Sequence, residues 1–417
     1  MSISVSDRLS GAFVRRIKTA RGAHMPRALF WGTTIVVLAS CAISLALMHE
    51  FRSMGFFYLD DTLFNSDPKS MLDVFGQGER SKSILFPQLR NSIHPYLWLY
   101  FGPAIRLAAK AATVLGLSDL NEIQLRAYLG TYVSPIVAAI QLVAFGALMA
   151  SLGLRPRHVL LMTAISATAF TNLIFSSIHE HFAITNLAIT WFLLLSVHAF
   201  RTARPGVTPG WIALGLFGAG VTITNAIVLG IIHALTAIQI RTQGIVMALS
   251  KSLVLGVSVA FFVLASAYGL GLAIDGPLPK GSVRDNYVPR YVRVGDALWT
   301  APLRALGALG NAIAPNGSDI RPISPTPVPS PFDPALTAPF DEPPYPTFTL
   351  EAAEGDVPGI GILGVLAIVG MACGAASLIA QGGIGRKTAF IAIVLIAYNM
   401  VLHAIWGDEF FVYSQHW

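Results

Sequence analysis

Two adjacent carboxylates stand in the stretch "GFFYLDDTLFNSDP", residues 55–68. Asp60 and Asp61 lie in an aromatic setting, and Asp60 comes twelve positions after Met48, where a long apolar run ends. Acidic residues cap the free N–H groups at the start of a helix, and "LDDTLF" fits that structural role. A carboxylate held beside lipid also serves as a general base or a metal ligand, since desolvation or a cation shifts its pKa. Local sequence leaves both interpretations open.

A second polar group, in "SSIHEHFAIT", joins two apolar runs. His179, Glu180 and His181 are candidates for binding a divalent metal ion or an anionic head group, and a polar turn is the structural alternative. Adjacent His-Glu-His lacks the spacing that puts two histidines on one helix face, so the metal pattern is weak.

These residues sit in a chain whose composition is that of an integral membrane protein. Hydrophobic residues make up 54% and charged residues 12%, with mean hydropathy +0.63, whereas soluble domains carry about 25% charged residues. A spanning helix needs roughly 20 mostly apolar residues. The runs that meet this requirement are 28–48, 129–153, 159–177, 182–200, 252–274, 359–380 and 388–406.

The uncharged stretch between Pro209 and Ile240 is too long for one span and too short for two full ones. We interpret it as two short helices that break near "TITN", Thr222 to Asn225. The sequence therefore predicts an all-α polytopic protein with about nine membrane segments, two of them short.

The distribution of charge predicts the orientation. With residues 1–27 placed in the cytoplasm, the short inner segments hold a clear excess of Lys and Arg, and Asp7 is the only inner acid among 22 acidic residues. This is the positive-inside pattern. The formal net charge of +6 then reflects topology, and a nucleic-acid partner is disfavoured because basic residues do not alternate with aromatic ones.

The alternation divides the chain into a basic cytoplasmic N-terminus, 1–27, a transmembrane module, 28–274, with a first outer loop at 49–128, a second outer loop at 275–358, and a two-helix segment, 359–417. The first loop contains the apolar stretch 94–117, in which Arg106 and Lys110 share one helix face; this predicts an interfacial amphipathic helix. Residues 294–313 predict a second interfacial helix or a lid, and the proline-rich 321–346 predicts extended chain.

Four polar clusters converge on the outer side: 60–61, 179–181, 284–293 and 408–416, the last containing Tyr413 and His416.

The order of these motifs resembles the GT-C superfamily of membrane glycosyltransferases, which use polyprenyl-phosphate-linked sugars and include protein O-mannosyltransferases and aminoarabinose transferases. "DDTLF" is similar to the acidic motif that opens the first outer loop of that family, and "HPYL", with His94, is similar to its His-Pro-Pro-Leu motif. "GLFGAGVTITN" resembles the later Gly-Leu-x-x-Leu-Thr-Lys element, with Asn225 where lysine is common. The resemblance covers about residues 25–230.

The resemblance implies transfer of a sugar, with inversion, from a polyprenyl-phosphate donor to an acceptor hydroxyl on a glycan, lipid or protein, at the outer (periplasmic or exterior) side of the cell's inner (plasma) membrane. Asp60 is then the expected general base and Asp61 the second choice. A set of candidates for binding substrate follows, of which the arginines suit the leaving phosphate: His94, Arg284, Arg290, Arg293, Tyr413 and His416. A divalent ion at His179, Glu180 and His181 is the alternative source of positive charge.

Two other classes of membrane protein stay open. An O-antigen ligase or polymerase also uses lipid-linked glycans and a late outer loop, but the early acidic pair in a large first loop disfavours it. A non-enzymatic transporter of lipid-linked glycans places polar groups at mid-membrane in repeated halves, and no such repeat is visible here.

Overall fold

The computed structural model describes residues 27–59, 75, 94–204, 206–241, 244–275, 296–317, 321–323, 347–349 and 359–405. Several predicted site residues lie outside these described residues: Asp60, Asp61, Arg284, Arg290, Arg293, Tyr413 and His416. The basic N-terminus, apart from residue 27, and most of the proline-rich segment lie outside them as well.

The described chain is helical apart from one pair of three-residue strands, β1 (Arg321–Ile323) and β2 (Thr347–Thr349), which pair antiparallel. The helices follow in this order: α1 (Arg27–Ser53), α2 (Leu97–Val114), α3 (Glu122–Thr131), α4 (Val133–Ser151), α5 (Pro156–Thr168), α6 (Phe170–Ser177), α7 (Phe182–Thr202), α8 (Pro209–Val221), α9 (Asn225–Ile240), α10 (Ile245–Asp275), α11 (Asp296–Ile313), α12 (Ile362–Gln381) and α13 (Gly383–Ile405).

Among the described residues, six helical stretches are long and apolar enough to cross a membrane, and the bent pair α5–α6 makes a seventh when it is counted as one span. The chain is therefore a multi-pass membrane protein. Their lipid-compatible faces are visible in the exposed apolar side chains of α10 and α12, such as Val246, Phe261, Ile362 and Leu366. The count of nine segments stays a prediction.

The run 159–177, predicted as one helix, is two helices that meet at 57°. Ala169 is extended, with φ −57° and ψ 133°. The Thr168 hydroxyl donates back to the carbonyl of Ala164, a bond that tends to bend helices, and the Thr171 hydroxyl donates to the carbonyl of Ala312 on α11. The break therefore coincides with a contact to α11, a distant helix. The local sequence does not reveal that contact.

The short helical pair was predicted correctly. Helix α8 ends at Val221, Thr222 is extended, and α9 begins at Asn225. Both helices are apolar and shorter than a full span. The two helices pack together as a short hairpin: Asn225 donates to the carbonyl of Gly218 on α8, and a Cβ at Gly215 of α8 would lie 2.5 Å from the Leu229 side chain of α9.

The amphipathic helix predicted within 94–117 is α2. Trp98, Gly102, Ile105 and Ala109 form its buried face. Leu107 and Val114 are exposed, as are Leu115 and Leu117 just after the helix. This pairing of a packed face with an apolar exposed face suits a helix at a membrane surface.

Helix α11, predicted as an interfacial helix or lid, packs through its alanines rather than its leucines. Ala301, Ala305 and Ala308 are buried, whereas Leu303 and Leu306 are exposed. Asn311 joins α11 to the start of α12 by donating to the carbonyl of Gly359. These contacts seat α11 against neighbouring helices.

Glycines let α2 approach α8 closely. A Cβ at Gly220 would lie 2.2 Å from the Tyr100 hydroxyl oxygen and 2.8 Å from a ring carbon of Tyr96. The Tyr100 hydroxyl donates to the carbonyl of Leu216, and the Tyr96 hydroxyl is hydrogen-bonded to that of Ser266. Neither tyrosine can move aside without breaking one of these bonds.

We expect Gly220→Ala to lower the free energy of unfolding by about 1–3 kcal/mol, because the added methyl group overpacks this contact. Gly374→Ala is the matched control, since a Cβ at Gly374 in α12 meets nothing within 4 Å and alanine favours helix. Thermal unfolding in detergent or nanodiscs provides the comparison. Equal melting temperatures for the two variants would contradict the close-packing account.

Candidate functional site

The C-terminal end of α8 is capped by the segment that opens α2. The last carbonyls of a helix have no partner within the helix, and here two of them receive donors from the segment that opens α2. His94 Nδ1 lies 2.8 Å from the carbonyl oxygen of Val221, and the Tyr96 N–H donates to Gly220 O over 2.8 Å. One turn earlier, the Tyr100 hydroxyl donates to Leu216 O over 2.8 Å. This capping fixes the position of the His94 imidazole.

The His94 ring packs against the His181 ring, with the ring centroids 4.2 Å apart and the planes inclined by 47°. His181 lies at the start of α7 and also packs against Phe182, at 4.4 Å between centroids. Two residues singled out in separate parts of the sequence are thus neighbours in the fold. We call His94, His179, Glu180 and His181 the histidine cluster.

Glu180 orients His181. Its Oε2 atom accepts the backbone N–H of His181 at 3.2 Å and lies 3.1 Å from Nδ1 of the same residue. The backbone of Glu180 is held by Ser134 of α4, whose hydroxyl donates to the Glu180 carbonyl at 3.0 Å. The Glu180 side chain is buried, so the carboxylate acts on the imidazole in a setting with little water.

His179 faces a different neighbour. It is buried, and its ring lies 5.2 Å from the ring of Phe75, which also packs against Trp98 at 5.8 Å. Residues 179 and 181 therefore contact separate aromatic groups.

Polar contacts continue from His94 into the short hairpin. The Thr222 hydroxyl lies 3.4 Å from His94 Nδ1 and 3.3 Å from the Thr185 hydroxyl, and Asn225 donates to Gly218 O at 3.0 Å. This bond ties the start of α9 to α8 at the helix break.

Burial is the main influence on both histidines of the stacked pair. It lowers the pKa of His94 to about 3, with the neighbouring His181 lowering it further and the Val221 carbonyl opposing the change. Burial also lowers the pKa of His181 to about 3. Both imidazoles are therefore neutral at physiological pH.

The three residues predicted to hold a metal do not point to one position. Glu180 Oε2 contacts the Nδ1 side of His181, and the His179 ring packs on Phe75. Across the described part of the chain, no group of three or more His, Cys, Asp or Glu side chains is placed to hold a metal ion. The divalent metal remains a prediction from the sequence.

The bundle carries charge at the end opposite the histidine cluster. There Arg201 of α7 contacts the carbonyl of Ser151 at the end of α4, and the Lys387 ammonium lies 5.1 Å from the Phe200 ring centroid. The two ends of α4 and α7 thus differ, with Ser134 and Glu180 at one and basic side chains at the other.

Two buried polar residues were not identified from the sequence. Arg304 on α11 is fully buried, and the Trp98 Nε1–H is buried and has no hydrogen-bond partner among the described residues. Arg304 lies in a run rich in alanine and leucine, and Trp98 lies in an apolar stretch typical of core residues. The sequence alone therefore did not indicate a polar role for either residue.

No family model matches this chain, and no curated protein or solved structure is found to be similar to it.

The lowered histidine pKa values predict an acid-sensitive fold. The unfolded chain binds protons at histidine below about pH 6.5, whereas the folded pair binds them only near pH 3. The free energy of unfolding therefore falls as pH drops from about 6.5 toward 3.

Carboxylates also titrate in this range, so the readout is the difference in melting temperature between wild type and His94→Asn at each pH. We expect wild type to lose its advantage on acidification. A difference that is constant from pH 7 to pH 4 would contradict the account.

Proposed function

We propose that the protein is a membrane glycosyltransferase that moves a sugar from a polyprenyl-phosphate donor to an acceptor hydroxyl at the outer side of an inner (plasma) membrane. The observation that carries the proposal is the contact between His94 and His181, at 4.2 Å between ring centroids. His94 belongs to the motif similar to His-Pro-Pro-Leu, and His181 to a polar loop predicted on the same side of the membrane. The GT-C resemblance and this contact support a single site.

In this proposal Asp60 takes the proton of the acceptor hydroxyl while its oxygen forms the new bond to the anomeric carbon, and Asp61 is the second choice. The bond between the anomeric carbon and the phosphate oxygen breaks, and its electron pair stays on the lipid phosphate. Arg284, Arg290 and Arg293 would stabilise that charge by two-pronged contacts. Tyr413 and His416 remain proposed contacts to substrate.

The chain just before the acidic pair is anchored to the helical bundle. Leu59, which directly precedes Asp60, is fully buried. The Tyr58 hydroxyl just before it binds that of Tyr128 on α3 at 2.7 Å. The chain is thus fixed immediately before the acidic pair, as an active-site loop requires.

In this proposal the prenyl chain lies in an apolar groove of about 320 Å³. Trp191, Leu194 and Leu195 of α7 and Leu214 of α8 line it, and it is open to the outside of the bundle. Trp191 lies ten positions after His181, about 15 Å along the helix. An isoprenoid chain is long enough to cover that distance while its phosphate stays near the helix end.

Replacing the base tests the proposed chemistry. In nanodiscs with a labelled polyprenyl-phosphate sugar and an acceptor, we expect Asp60→Asn to reduce the release of free polyprenyl phosphate by a factor of about 10²–10⁴. Donor binding should survive, because the substitution keeps size and removes only the base.

Asp119→Asn is the matched control, since Asp119 is an exposed carboxylate of the same predicted loop. Near-normal turnover by Asp60→Asn would remove the base assignment. Donor movement across the bilayer without sugar transfer would instead indicate a transporter, and joining of preassembled glycans would indicate a ligase or polymerase.

The metal prediction is tested separately. If His179, Glu180 and His181 hold a divalent ion, exhaustive chelation abolishes transfer and added Mg²⁺ or Mn²⁺ restores it, because the leaving phosphate loses its counter-charge. Undiminished transfer after chelation would contradict a metal at this loop.

A further inference from the structure

Three helices meet at the basic end of the bundle, opposite the histidine cluster. Lys387 of α13 joins them, because its ammonium lies 5.1 Å from the centroid of the Phe200 ring of α7 and its carbonyl accepts a hydrogen bond from Gln239 of α9 at 3.3 Å. Arg386 directly precedes Lys387, and Arg241 comes two positions after Gln239. We call Arg241, Arg386 and Lys387 the basic junction.

The three cations of the basic junction are accessible from outside the bundle. Arg241 and Arg386 are exposed, and Lys387 is half-buried against Phe200. Arg386 lies in the first turn of α13, which contains no acidic residue. The helix dipole disfavours positive charge in a first turn. The junction therefore gathers like charges at a position that favours a bound anion.

The helices that form the basic junction supply no carboxylate to balance it. No acidic residue occurs between positions 181 and 274, which include α7 and α9, or between positions 357 and 407, which include α13. The N-terminal residues 1–26 have the wrong sign to cover the junction, because they contain five Lys and Arg residues and one acid, Asp7. The counter-charge must therefore come from another molecule.

Helix α7 gives the distance between the basic junction and the histidine cluster. Phe200 comes 19 positions after His181, which is about 30 Å along a helix. The hydrocarbon core of a bilayer is also about 30 Å thick. With the histidine cluster at one membrane surface, the basic junction lies at the other, at the depth of lipid phosphate groups.

Exposed apolar side chains lie on α13 beside the cations. Phe390 and Ile393 are exposed and follow Arg386 at spacings of four and seven, so the three residues share one face of the helix. A phospholipid presents a phosphate to the cation and acyl chains to the apolar part of such a face. A free anion in water matches only the cation.

We propose that the basic junction binds the phosphate group of an anionic phospholipid in the leaflet opposite the histidine cluster. Lys and Arg beside a membrane attract acidic lipids, whereas a zwitterionic lipid carries its own cation and gains less. The bound phosphate offsets the repulsion among the three cations where α13 packs against α7 and α9. This inference does not depend on the glycosyltransferase function.

The test uses full-length protein in detergent with equal amounts of phosphatidylglycerol and phosphatidylcholine, and native mass spectrometry counts the retained lipids. We expect wild type to retain phosphatidylglycerol preferentially. Each of Arg241→Gln, Arg386→Gln and Lys387→Gln should lower the ratio of bound phosphatidylglycerol to phosphatidylcholine about fivefold. Arg157→Gln is the matched control, because Arg157 is an exposed cation at the start of α5, at the same end of the bundle but outside the junction.

Two further variants and a competitor sharpen the result. Lys387 packs on Phe200, so Lys387→Arg, which keeps the charge, should keep the lipid preference. Melting temperatures show whether each variant is folded, and the exposed Arg241 and Arg386 decide the test if Lys387→Gln is not. Equal ratios in the junction variants and Arg157→Gln would overturn the proposal, as would wild type without a preference. Release of phosphatidylglycerol by millimolar inorganic phosphate would indicate a site for a soluble anion and overturn it as well.

Discussion

The fold depends on satisfying the carbonyl groups freed where α8 ends. Backbone groups buried in a membrane protein cannot rely on water, so each needs a partner from the chain. Here Gly220 and Val221 receive a backbone N–H and an imidazole from the segment that opens α2. Without that segment α8 would end in costly orphan acceptors. A structural need thus places His94 at the end of the bundle where α7 begins.

This constraint gives one residue two roles. His94 uses Nδ1 to cap a helix and packs its ring against that of His181. The Glu180 carboxylate holds His181 in place, because its Oε2 atom contacts both the backbone N–H and the ring Nδ1 of His181. A half-buried histidine that caps a helix is an ordinary structural feature. Here its ring packs against a second imidazole, that of His181, whose Nδ1 lies next to the Glu180 carboxylate.

Much of the helical architecture could be predicted from the sequence. Apolar run length located the spans, and the length and uncharged character of 209–240 predicted the break between α8 and α9. The bend at Ala169 could not be predicted, because it accompanies a hydrogen bond from Thr171 to Ala312 on a remote helix. The alanine face of α11 was equally hidden, since its leucines show the stronger periodic signal.

The site was only partly predictable for a similar reason. Residue types marked His94 and the His179–His181 loop as candidates, but their contact depends on the approach of α2 to α8, which glycine makes possible at Gly220. The pattern His-Glu-His indicated three ligands of one metal, whereas the fold directs His179 toward Phe75 and Glu180 toward His181. Trp98 was hidden among core residues because only the assembled helices reveal a buried donor with no partner in the described chain.

The central claim is that one substrate-binding site forms around the His94–His181 contact at the end of α8. A cryo-EM structure with a bound polyprenyl-phosphate sugar tests it most directly. The account predicts that the sugar lies beside the histidine cluster and that the His94–Val221 contact stays intact. A sugar at the basic end of the bundle, or separated histidine rings with His94 detached from Val221, would contradict it.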